Sequence, residues 1–129
     1  MVGNAYTRAV QNYKQEAVLT MSPGEIVIAL FDECIKMLLY TQEHIKNKNI
    51  QGKSDCLKKA IKIIEYMTAS LDMKYPISSE LENLYEYYIW EMRNVNLHND
   101  IQKCGDLISM ITEIRDGFKG ANAEVAKSH

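Results

Sequence analysis

The chain has 129 residues, 47% of them hydrophobic and 25% charged, with six Gly and two Pro, which fits one globular domain and excludes disorder and collagen-like repeats. Fifteen Lys and Arg against seventeen Asp and Glu leave a net charge of -2, so no global field draws in nucleic acid or anionic lipid, and neither is expected as a partner. Cys34, Cys56 and Cys104 are an odd number at wide spacing, without a CxxC or Cys-His zinc pattern, and read as buried reduced thiols.

The polar stretch Met1 to Gln15 has no secretory leader, which predicts a cytoplasmic protein. Tyr6, Val10, Tyr13 and Val18 are too sparse for a core helix and predict an N-terminal arm over residues 1–21, lying on a bundle formed by 22–119. Ser22-Pro23-Gly24-Glu25 reads as a helix start, with Ser as N-cap, Pro at the first helical position and Glu three residues after the cap. This first helix runs to about Asn47. Its most apolar part, Ile26 to Tyr40, is broken by Asp32, Glu33 and Lys36 and is too short to span a bilayer.

Asn49 to Ser54 reads as a loop, followed by a second helix from about Asp55 to Asp72 with Leu57, Ala60, Ile61, Ile64 and Met67 on one face. Lys74-Tyr75-Pro76 breaks the chain, and Ser79 with Glu82 forms a capping box for a third helix ending near Leu97. Asn99 reads as the cap of a fourth helix, with Ile101, Cys104, Leu107, Ile108, Ile111, Ile114 and Phe118 inward and Gly120 closing it. A loose tail over 120–129 is expected to follow. Four such segments with short links predict a single all-α domain, an antiparallel up-down four-helix bundle about 30 Å long.

The first helix has more apolar surface than one core can use. Leu30, Phe31, Cys34 and Leu38 form one stripe, and Ile28, Ile35 and Leu39 form another. The third helix repeats this, with Leu84, Tyr85, Tyr88 and Met92 inward and Tyr87, Trp90 and Leu97 pointing elsewhere. Leu30, Leu84, Tyr85, Ile108 and Ile111 are assigned to the core. The second rows predict either cover by the arm and loops or a groove for an amphipathic segment of a partner, and seven Met suit such a surface.

No catalytic constellation is found, and no cofactor or metal is expected. Glu-x-x-His pairs, a Gly-rich phosphate loop and a GxSxG motif are all missing. His44, with Lys46, Lys48 and Gly52 nearby, faintly matches a phosphotransfer histidine and otherwise reads as an ordinary surface residue.

The segments from Ala5 to Phe118 resemble the flagellar secretion chaperone FliS family. The family's Tyr, then Val or Ile, then Thr-Ala-Ser-Pro-Glu appears here as Tyr13, Val18, Leu19, Thr20, Met21, Ser22, Pro23 and Glu25, followed by Leu30-Phe31-Asp32 for Leu-Tyr-Asp. Leu71-Asp72, the run Glu82 to Tyr87, Val95-Asn96 with Asp100, and Ile114-Arg115-Asp116-Gly117-Phe118 continue the match in order. Departures are Glu16 for an Asn, Ser78-Ser79 for Gly-Gly, Trp90-Glu91 for a basic pair, Phe118 for a terminal Trp, and Tyr6 lying farther from Pro23 than the family's first tyrosine.

The resemblance implies a non-enzymatic cytosolic chaperone. Such a protein binds the disordered C-terminal segment of flagellin, prevents premature polymerisation and delivers the subunit to the flagellar type III export apparatus. It also implies that the arm and its tyrosines cover part of the site until the client displaces them. Tyr6, Tyr13, Ile28, Ile35, Leu39, Tyr87 and Trp90 are the partner-binding residues this predicts. A generic helical adaptor for another amphipathic helix stays open, as do an anti-sigma factor or other flagellar regulator as a second partner and self-association of the free chain.

Overall fold

Residues 23–128 are described by the computed structural model, with side chains to residue 123. The chain runs through α1 (Pro23–Lys46), α2 (Ile50–Ala69), α3 (Pro76–His98) and α4 (Ile101–Ser128). α1 packs extensively against α2 and α4, α3 closes the square against both, and the α3–α4 seam has the least contact of the four. This is the antiparallel up-down bundle the periodicity predicts.

The turns decide where each helix begins. α1 ends in a Schellman arrangement: the Lys48 N–H donates to the Ile45 carbonyl and the Asn49 N–H to the His44 carbonyl, with Lys48 at φ 57° in the left-handed position. Asn49 then caps α2 immediately, its Oδ1 accepting from the Gly52 N–H at 2.9 Å. The segment Ile50 to Ser54, read as loop because of Gly52 and its polar neighbours, is therefore the first turn of a helix, where cap geometry outweighs glycine's low propensity. A Cβ at Gly52 would lie 2.6 Å from the His44 ring, so any larger residue there must displace His44 and the Asn49 amide.

α3 starts earlier than the Ser79 capping box predicts. Pro76 opens it after Tyr75, whose side chain makes no capping bond, and the Ser78 hydroxyl donates instead to the Asp72 carbonyl at 2.6 Å. Asn99, predicted to cap the fourth helix, ends α3 in the left-handed region, and Asp100 caps α4 by accepting from the Lys103 N–H at 3.0 Å. α4 continues beyond Gly120 to Ser128. The two glycines near its end lower helix propensity without introducing a turn geometry that would stop it.

The core is continuous. Phe31, Cys34 and Leu38 of α1, Leu57 and Ile64 of α2, Tyr85, Tyr88 and Met92 of α3, and Cys104, Leu107 and Ile111 of α4 are buried, and Leu30, Leu84 and Ile108 pack against them half-buried. The Phe31 ring meets Tyr85 edge-on at 6.2 Å and Phe118 at 5.6 Å, tying three helices together. Buried polar groups are satisfied. Thr41 donates to the Met37 carbonyl at 2.8 Å, and the buried Lys53 amine binds the Asn96 carbonyl at 2.8 Å and the Asn99 side chain, fixing the end of α3.

Candidate functional site

The second apolar row of α1 lies along its seam with α4. Asp32, which falls between Ile28 and Ile35 at helical spacing, pairs with Arg115 of α4 at 2.8 Å, and six residues on the Cys104 thiol contacts the Leu38 carbonyl at 3.4 Å. Between these two ties the seam closes over Ile35, which is only 9% exposed and belongs to the core rather than to a binding surface. Ile28 is half-buried, and Leu39 is 48% exposed.

α3 presents the other row. Tyr87 and Trp90 lie one turn apart, 44% and 60% exposed, and Leu97 continues the row two turns beyond Trp90. Under this row the carboxylate of Glu91 is buried and meets the Lys103 amine of α4 at 3.0 Å, with Asn94 donating to it at 3.2 Å. The hydrogen bond to Glu91 is the main reason the Lys103 pKa is raised. Burial of Glu91 is not visible in the sequence, where Glu80, Glu82, Glu86 and Glu91 together read as a solvated acidic face of the third helix.

The predicted residues thus divide between two seams flanking α4. Tyr87 and Trp90 come together on the α3 side, and Ile28 and Leu39 on the α1 side. Between them α4 exposes a polar stripe, Gln102, Asp106, Ser109, Glu113 and Asp116, at the spacing of one helix face. Tyr6 and Tyr13 lie outside the described residues.

An open apolar cavity of about 330 Å³ sits at the end of the bundle where α1 begins. Val27 and Leu30 of α1, Tyr66 and Met67 of α2, Leu81 of α3 and Phe118 of α4 line it. Tyr66, Met73, Tyr75 and Ile77, all exposed, surround the α2–α3 turn at the same end. Sequence reading passed over this cluster because the turn residues follow no helical period. The Tyr75-Pro76-Ile77 run was the available signal, since two large apolar residues flanking a turn proline have no core to enter.

Among the described residues no group of His, Cys, Asp and Glu could hold a metal ion, and no helix is long and apolar enough to cross a membrane. His44 packs against Gly52, its Nδ1 accepting from the Asn49 amide at 3.3 Å.

The family described as "Flagellar protein FliS" matches residues 6–125. The chain belongs to the FliS family. Flagellar secretion chaperone FliS of Escherichia coli (strain K12) is 32% identical over 108 residues, covering 81% of this chain and 79% of its own, and that of Bacillus subtilis (strain 168) is 28% identical over 117 residues, 88% of each. A solved structure titled "Crystal structure of flagellar chaperone from bacteria" superposes with a TM-score of 0.75 over 92% of this chain and 98% of its own, at 19% identity, and shares the fold.

FliS-family proteins are chaperones and not enzymes, which removes the phosphotransfer reading of His44. In this FliS-family chain the Trp90-Glu91 pair combines an outward aromatic with an inward carboxylate.

Proposed function

We propose that this FliS-family chaperone binds the C-terminal segment of flagellin in the cytoplasm, prevents its premature polymerisation and supports its delivery to the flagellar export apparatus. The observation that carries the reading is the exposed apolar row of α3, Tyr87, Trp90 and Leu97, with Leu39 exposed on the far side of α4. Leu39 on one side and Tyr87 with Trp90 on the other leave large side chains in water, which a monomer without a partner gains nothing by doing. A segment without structure of its own loses chain entropy when it binds, and it offsets that loss by seating apolar anchors along extended grooves rather than in one pocket. An apolar row on α3 and a separate apolar residue beyond the polar stripe of α4 suit a client that wraps the bundle.

Tyr6 and Tyr13 complete the proposed surface as parts of an N-terminal arm. Pro23, where the described chain begins, lines the apolar end cavity.

Calorimetric titration with a peptide of the C-terminal segment of flagellin from the same organism tests this. One-to-one binding with a negative heat-capacity change is expected. Trp90→Ala should weaken it by about 2 kcal/mol, roughly thirtyfold, as for a buried aromatic anchor. A folded protein that shows no heat of binding rejects the reading.

A further inference from the structure

Trp90 and Glu91 are neighbours in sequence and opposites in environment. One residue along a helix is a rotation of about 100°, so the outward setting of Trp90 and the inward setting of Glu91 are one orientation of α3 about its axis. The buried apolar stripe of α3 sets which face meets the core, and the finer angle is left to the contacts at its edges. Tyr88, Met92 and Val95 are buried, and the α3–α4 seam, where large side chains separate the backbones, has the fewest close backbone approaches of the four. The directional contact across that seam is Glu91. One carboxylate oxygen lies 3.0 Å from the Lys103 amine and the other 3.4 Å, and Asn94 holds the second at 3.2 Å. With Glu91 buried and Lys103 a third exposed, the pair is poor evidence of added stability, because desolvating the carboxylate offsets its attraction, and fixing register is the best attested use of such polar contacts.

We infer that Glu91, acting through Lys103, is a positioning residue that sets the rotation of α3 and holds Tyr87 and Trp90 outward to meet the client. Tyr87 lies one turn before Glu91 on the same side of the helix, so the row and the ion pair share one edge. With the pair removed, α3 is free to turn by a fraction of that step of about 100°, which shifts Tyr87 and Trp90 relative to α4. The inference rests on the reading of Tyr87 and Trp90 as client contacts.

Trp90 is the only tryptophan in the chain, so its fluorescence reports its own exposure. The test compares full-length parent, Glu91→Gln, Lys103→Met and Trp90→Ala by circular dichroism, thermal unfolding, acrylamide quenching of Trp90 and affinity for the flagellin C-terminal peptide. Gln keeps the shape of Glu and removes its charge. In Glu91→Gln and Lys103→Met the expected result is unchanged helix content, quenching reduced about twofold and affinity reduced about tenfold. The reversed pair, Glu91→Lys with Lys103→Glu, should restore both quenching and affinity, which a purely stabilising contact would not require.

Unchanged quenching and affinity in Glu91→Gln, with Trp90→Ala still losing affinity, overturns the positioning role and leaves the client surface standing. Unchanged affinity in Trp90→Ala overturns the client surface and with it the purpose assigned to Glu91. Affinity lost only in proportion to lost helix content likewise overturns the positioning role.

Discussion

Burial pushes the thiol pKa values of Cys34 and Cys104 up to about 12, from an ordinary value near 9, while Cys56 is only half-buried and is raised less, with Lys59 pulling it back down. Reactivity follows the thiolate fraction and access. A charged disulfide reagent at mildly alkaline pH should therefore modify Cys56 rapidly and the other two only as the bundle opens, giving one fast thiol per chain by absorbance and three after denaturation. Comparable rates at all three would contradict the burial described here. The neighbours Ile35 and Leu39 show what could and could not be read at this scale. Their i, i+4 spacing places both on one row, which the sequence makes plain. How closely α4 approaches each of them depends on Arg115 and Cys104, more than sixty positions away, and no local pattern carries that.

Helix identity was legible because apolar spacing is strong in all four segments, and their boundaries were misread where capping chemistry is subtle. Asn49 and Asp100 act as N-caps through side-chain oxygens, yet each stands beside another plausible cap or a glycine that obscures it. The site was legible to the same extent. Tyr87 and Trp90 followed from excess apolar surface on one helix, whereas the cavity and Tyr66, Tyr75 and Ile77 depend on four helix ends meeting. α4 offers a test of its unexpected length. Gly117 and Gly120 are exposed, and a Cβ at either would meet nothing within 4 Å. Gly117→Ala and Gly120→Ala should each stabilise the protein by about 0.5–1 kcal/mol, seen as a higher urea midpoint. If α4 instead stopped at Gly120, the second change would have no effect or a destabilising one.

For the molecule as a whole, the core is built around groups that ionise only at high pH. Tyr85 and Tyr88 are pushed up to about 12 from near 10, alongside Cys34 and Cys104, and desolvation is the leading cause in each case. An unfolded chain releases these protons at lower pH than the folded one, so the stability they contribute is complete below about pH 9 and falls as pH rises from 9 to 12. Urea midpoints measured across that range should decline steadily, and Cys34→Ala with Cys104→Ala should flatten the earlier part of the decline. Mechanical strength, finally, depends on where the chain is held. Gly24 at the start of α1 lies against Asn122 near the end of α4, so force applied to the two termini enters neighbouring antiparallel helices at one end. They peel apart a layer at a time, first at Gly24 and Asn122, then at the Phe31–Phe118 rings and the Asp32–Arg115 pair, and last at Leu38 and Cys104. Handles at Gly24 and Asn122 should rupture the bundle in an optical trap at lower force than handles at Asn47 and Asn122, which load every layer together. The same molecule is weak when unzipped and strong when sheared.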